Sequence, residues 1–235
     1  MQRSDPQDLL FLPGFMLTEA LWDDMRDGLA ALGNCHFGDL SRNDSIASMA
    51  AHVLAAAPPR FILFGFSMGG FVAQQIVRQA PERVLALALL NTSSRAQTPQ
   101  EAAQTAAQLA LARDIPFKGL TSRALASSVH PARRGDAALL GRLQAMALKN
   151  GKPVFLRQMA ALRDDDPDGL ERIDCPTLIV GSSDDGLRSL AESEQMARRI
   201  AGSRLVVMRD CGHMTPLEKP AELLDVIRQW QAQIA

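Results

Sequence analysis

The 235-residue sequence predicts an α/β protein: a mostly parallel sheet of about six strands, helices on both faces, and a helical segment inserted after the fourth strand. Short apolar runs alternate with longer amphipathic stretches, the pattern of parallel strands joined by crossover helices. Val84–Leu90 is apolar at every position, as a strand buried on both faces requires. From about Thr92 to Asp168 the alternation stops, and only helix-like segments follow.

Leu9–Pro13 is the first strand, and Leu21–Leu32 has the periodicity of the helix that follows it. Cys35–Leu40 is a weaker second strand, and Ser45–Ala57 is a helix stopped by Pro58-Pro59. Phe61–Phe66 is the third strand; its helix, Gly69–Ala80, ends at Pro81, and Val84–Leu90 is the fourth. Thr98-Pro99-Gln100-Glu101 is a capping box with proline at the first helical position, opening a helix to about Arg113. Helical patterns recur at Leu120–Ser128, Asp136–Lys149 and Val154–Arg163, and the acidic run Asp164–Gly169 reads as a polar loop. Strands return at Thr177–Val180 and Leu205–Met208, with a helix near Leu187–Ala201 between them. A second capping box, Thr215-Pro216-Leu217-Glu218, opens a last helix to about Gln233. The division expected is a core of residues 1–91 and 169–235 with an insertion of residues 92–168.

The 25 basic and 26 acidic side chains nearly cancel, and no basic cluster exists to offset phosphates, so a nucleic-acid partner is not expected. Cys35, Cys175 and Cys211 are odd in number and lack paired spacing; neither a disulfide framework nor a metal site is indicated, and a reducing cytoplasm fits. The N-terminal apolar stretch Leu9–Leu17 is broken by Pro13-Gly14 and is too short to span a membrane.

Gly65-Phe66-Ser67-Met68-Gly69 places a serine where a strand hands over to a helix. The bare G-x-S-x-G pattern arises by chance about 0.07 times in such a chain. Its position makes it specific, because a tight strand-to-helix turn exposes a serine hydroxyl at the sheet edge. Such a hydroxyl needs a base, itself oriented by an acid. His36 stands at the second strand, His52 lies within a helical pattern and His130 precedes a proline in the insertion. His213 follows a late strand in Cys211-Gly212-His213 and is the expected base. The acid comes from Gly181-Ser182-Ser183-Asp184-Asp185: Asp184 is preferred, with Asp185 as its alternative.

With its elbow G-F-S-M-G-G, acid loop G-S-S-D and histidine loop C-G-H-M-T-P-L-E-K-P in that order, nearly the whole chain resembles the α/β-hydrolase family. Within it, the sequence is similar to small bacterial carboxylesterases, enol-lactonases and thioesterases. The family's H-G-x loop is represented by Leu12-Pro13-Gly14-Phe15, with proline in place of histidine, and its G-H-G segment is absent, replaced by Asp39–Asp44. The family's first two strands have no counterpart. The resemblance implies that the insertion is a cap, that the Phe15 and Met68 backbone N–H groups form an oxyanion hole, and that no cofactor or metal is used. The expected activity is cleavage of a small carboxylic ester by Ser67, His213 and Asp184; Met146, Phe155 and Met159 of the insertion are candidates to face the substrate, with helix-packing core as their alternative. Thioester, lactone or C–C bond hydrolysis is possible on the same three residues. A non-catalytic receptor or a haloperoxidase-like enzyme is the reading from outside that chemistry.

Overall fold

In the computed structural model, residues 6–161 and 169–234 are described. The predicted acidic loop, apart from Gly169, lies outside them. Six strands, β1 (Asp8–Leu12), β2 (Asn34–Phe37), β3 (Phe61–Phe66), β4 (Val84–Leu90), β5 (Thr177–Ser182) and β6 (Arg204–Met208), form one sheet. Their order is β2-β1-β3-β4-β5-β6, and every neighbouring pair is parallel.

Side-chain alternation builds a layer on each face. Phe11, Phe64, Ala88 and Val180 pack with Trp22, Ile227 and Trp230 on one side. Leu10, Leu63, Leu87 and Ile179 pack with Met49, Val72 and Met196 on the other. The helices supplying these layers are α1 (Arg26–Ala30) and α9 (Pro220–Ile234) on the first face, and α2 (Ile46–Ala56), α3 (Met68–Gln79) and α7 (Leu190–Arg199) on the second. Every residue of β3 and β5 is buried, as central strands covered on both faces require.

Between β4 and β5 the described residues contain helices α4 (Pro99–Asp114), α5 (Ser122–Ser127) and α6 (Ala137–Ala160) and no strand. α6 runs through both helices expected there as far as Ala160, with the expected end at Arg163 outside the described residues, and non-helical geometry at Gly151 (φ 71°, ψ −178°) marks the break. Gln158 anchors this insertion: its Oε1 accepts from Met16 N–H at 2.8 Å and its Nε2 donates to Leu40 C=O at 3.1 Å.

Two elements depart from expectation. The helix expected over Leu21–Leu32 is a 3₁₀ segment, Glu19–Met25, followed by the single short turn of α1. Thr215 opens no long capped helix. α8 (Thr215–Glu218) stops before Pro220, and α9 begins anew there. Among the described residues no helix is long and apolar enough to cross a membrane.

Candidate active site

The carboxyl ends of five strands feed loops into one region, as open parallel sheets commonly arrange their sites. β3 ends at Phe66 and α3 begins at Met68, leaving Ser67 alone on the turn with φ 51° and ψ −113°. Such a conformation costs a non-glycine residue roughly 1–3 kcal/mol and persists only where surroundings enforce it. Here Ser67 N–H donates to Leu90 C=O at 2.9 Å, and its carbonyl accepts from Thr92 Oγ1 at 2.6 Å and Gly70 N–H at 3.0 Å. The flanking glycines are needed for close approach: a Cβ on Gly65 would stand 2.6 Å from Gly69 O, and one on Gly69 2.6 Å from both Leu12 O and Pro13 O.

The imidazole of His213 lies between the serine and a carboxylate. Its Nε2 is 2.8 Å from Ser67 Oγ and its Nδ1 is 2.7 Å from Asp185 Oδ2. Both side chains of the His213–Asp185 pair are buried, at 2% and 1% exposure. The preference for Asp184 is corrected by this geometry. Asp184 is 38% exposed, accepts from Ser183 Oγ at 2.5 Å and stands 3.7 Å from His130 Nε2. The cause is local: β5 runs two residues past the predicted end, to Ser182, so the loop begins later. Asp185 then forms an Asx turn, with Oδ1 accepting the Leu187 and Arg188 N–H groups, both at 2.8 Å. That turn leaves Oδ2 free to face the ring.

Burial pushes the Asp185 carboxyl upward, but the His213 hydrogen bond and charge, with the Arg188 and Leu187 N–H groups, hold it below the ordinary aspartate value. Asn91, in the left-handed region at φ 46°, also supports this carboxylate. Its Nδ2 donates to Asp185 Oδ2 at 3.1 Å and Ser182 Oγ at 2.8 Å, while its Oδ1 accepts from Thr215 Oγ1 at 2.6 Å. Asn91 was not among the expected site residues. The signal for it is the one that drew attention to the aspartates, a polar residue directly ending an apolar strand.

Phe15 and Met68 both face the cavity beside Ser67. Among the described residues neither backbone N–H donates to a protein acceptor. Two chambers meet at Ser67 and Phe15. One, about 200 Å³, is lined by Met68, Phe71, Gln97, Gln158, Met159 and Arg188. The other, about 150 Å³ and more apolar, is lined by Leu17, Leu125, Leu143, Met214 and His213.

Of the three insertion residues expected at the substrate, Met159 lines the first chamber. Phe155 lines an apolar recess of about 630 Å³ beneath α4 that adjoins the first chamber at Phe15 and Met159. Met146 is corrected: it is buried in the core cluster with Leu125, Leu139 and Leu143, on the helix face that docks onto the core. His36 pairs with Asp8 at the sheet edge and His130 caps a short turn in the insertion, so neither joins Ser67. Cys211, two residues from His213, is buried; burial pushes its thiol up to about 11, which makes it a poor nucleophile. Among the described residues no three His, Cys, Asp or Glu side chains are grouped to hold a metal ion.

The sequence profile of the alpha/beta hydrolase family matches residues 9–226. Pimeloyl-[acyl-carrier protein] methyl ester esterase of Nitrosomonas europaea is 27% identical over 236 residues, covering 92% of each chain. A thermophilic esterase of Thermogutta terrifontis superposes with a TM-score of 0.88 at 24% identity, over 98% of this chain and 91% of that one. An enol-lactonase of Burkholderia xenovorans has a TM-score of 0.83 at 16% identity, over 99% and 94%.

Proposed function

The chain belongs to the alpha/beta hydrolase family, and from that premise we propose that it hydrolyses a small carboxylic ester with Ser67, His213 and Asp185 as its catalytic triad. The observation that carries this reading is the continuous hydrogen-bonded line Ser67 Oγ, His213 Nε2, His213 Nδ1, Asp185 Oδ2. Ser67 Oγ attacks the ester carbonyl while His213 Nε2 takes its proton. Asp185 holds the ring with Nδ1–H toward itself and stabilises the imidazolium that forms. The negative charge on the carbonyl oxygen is met by the Phe15 and Met68 N–H groups, donors with no protein acceptor to give up. His213 then returns the proton to the departing alcohol, and water, activated by the same ring, hydrolyses the acyl-enzyme.

No step in this sequence requires a cofactor or a metal. The helical insertion is the cap that closes the site, and the free cysteines suit a reducing cytoplasm. Related methyl ester esterases make a methyl ester the natural first substrate to try. In the test, Ser67→Ala should retain its melting temperature and lose about 10⁴-fold or more in kcat. A variant keeping a tenth of wild-type activity would end the assignment of Ser67 as nucleophile.

A further inference from the structure

Arg188 is the one charged side chain among the described residues lining the chamber that Ser67 shares with Met68 and Gln158. Its guanidinium carbon lies 5.5 Å from the centre of the Phe71 ring. Its Nη1 donates to Leu187 C=O at 3.3 Å, and its buried Nε has no hydrogen-bond partner. Glu192 and Asp185 act on the guanidinium by charge, but their hydrogen bonds go elsewhere. Glu192 accepts from Ser189 and pairs with Arg95, while Asp185 holds His213 and its own turn. A half-buried guanidinium with an unused N–H, stacked on an aromatic ring beside a candidate nucleophile, has the form of an anion-binding group.

The two chambers also differ in which half of an ester each can take. A departing alcohol must sit against His213 to receive its proton, and His213 lines only the smaller, apolar chamber. Of the two chambers that reach Ser67, that of Arg188 is left for the acyl half; the recess adjoining it at Phe15 and Met159 does not touch Ser67. From this, and resting on the ester-hydrolase reading above, we infer that the substrate is a half-ester of a dicarboxylic acid: its free carboxylate is bound by Arg188, and a small alcohol departs on the His213 side. The Arg188 backbone N–H also fixes Asp185. One residue thereby sets the register between the anion and the catalytic triad.

Monomethyl glutarate and methyl valerate separate the possibilities, since they match in chain length and leaving group and differ only in the terminal carboxylate. Methanol release should favour monomethyl glutarate at least tenfold in kcat/KM, mostly through KM. That ratio should fall to about one in Arg188→Met, which keeps a long apolar stem over Phe71, and be partly kept in Arg188→Lys. Equal use of the two esters by the wild-type protein would overturn the inference. So would an Arg188→Met variant that slows both equally, because the residue would then be structural.

A binding arm does not depend on turnover. By calorimetry, Ser67→Ala should bind monomethyl glutarate at least tenfold more tightly than methyl valerate, and the added Arg188→Met change should erase the difference. If neither ester is hydrolysed but this difference is found, the anion site stands and the hydrolase reading falls. If Ser67-dependent hydrolysis is found with no preference in either arm, the inference falls alone.

Discussion

Asp184 and Asp185 are chemically identical neighbours, and only backbone geometry distinguishes them. Asp185 accepts two N–H groups from its own turn, one from Asn91 and one from the imidazole, so every lone-pair direction has a use. Asp184 is exposed and bonded to Ser183. Asp185→Asn should therefore lower kcat about 10⁴-fold, because an amide favours the wrong imidazole tautomer, the effect known from a serine protease. Asp184→Asn should stay within about threefold. Steady-state kinetics on the two variants decides it, and a reversed ranking would remove Asp185 from the triad. The sequence made the strand-end position of the acid legible, together with Ser67 and His213. It did not reveal which aspartate faces the ring, because that depends on where β5 ends and on an Asx turn closed by Leu187 and Arg188. Arg188 itself was invisible for the same reason: one arginine among many carries no mark of the chamber it enters.

At the scale of elements, the two capping boxes make an instructive pair. At Thr98 the expectation is met in full: Thr98 Oγ1 accepts from Glu101 N–H at 3.2 Å, and the Glu101 carboxylate accepts from Thr98 N–H at 2.8 Å. At Thr215 the same letters fail. The hydroxyl is drawn into the buried network with Asn91 and Ser182, and Glu218 instead accepts the N–H groups of Met214 and His130. A cap needs a hydroxyl free to turn inward, and tertiary contacts at the sheet edge override the local pattern. The surviving box has a pH signature. Arg95, bonding both Glu101 oxygens at 2.8 Å, holds that carboxyl at about 2, with the Thr98 N–H assisting. A depressed carboxyl pKa contributes stability that is present above the ordinary range and lost only as pH falls through the lowered value. Carboxyl NMR should thus place the Glu101 midpoint near 2, and Arg95→Gln should move it up toward the ordinary value of about 4.3. An unchanged midpoint in Arg95→Gln would refute the pairing. The group is exposed, so the gain in overall stability should be small.

Across the whole molecule, the site depends on how the helical insertion is held to the sheet. The alternation of strands and helices made the core legible, and its sudden stop marked the insertion. What no local pattern could give is the long-range tie between residues 16 and 158. Gln158, buried on α6, satisfies the N–H of Met16 and the C=O of Leu40 at once. Met16 stands at φ 56°, a conformation that its neighbours must enforce, and it directly follows Phe15, the proposed oxyanion donor. Gln158→Leu should strand two buried backbone groups and cost about 1–3 kcal/mol in stability. It should also lower kcat by a larger factor than it raises KM, because an oxyanion donor acts mainly in the transition state. Arg142→Ala supplies the comparison. It removes another tie between insertion and core, the exposed 2.7 Å ion pair with Asp24, and neither residue lines the chambers at Ser67. Loss of such a pair costs about 1 kcal/mol or less and should leave kcat within a factor of about two. Thermal melts and steady-state kinetics on both variants separate tethering from positioning. If Gln158→Leu lost stability but kept the wild-type kcat, Gln158 would only fasten the insertion, and Phe15 would hold its place without it.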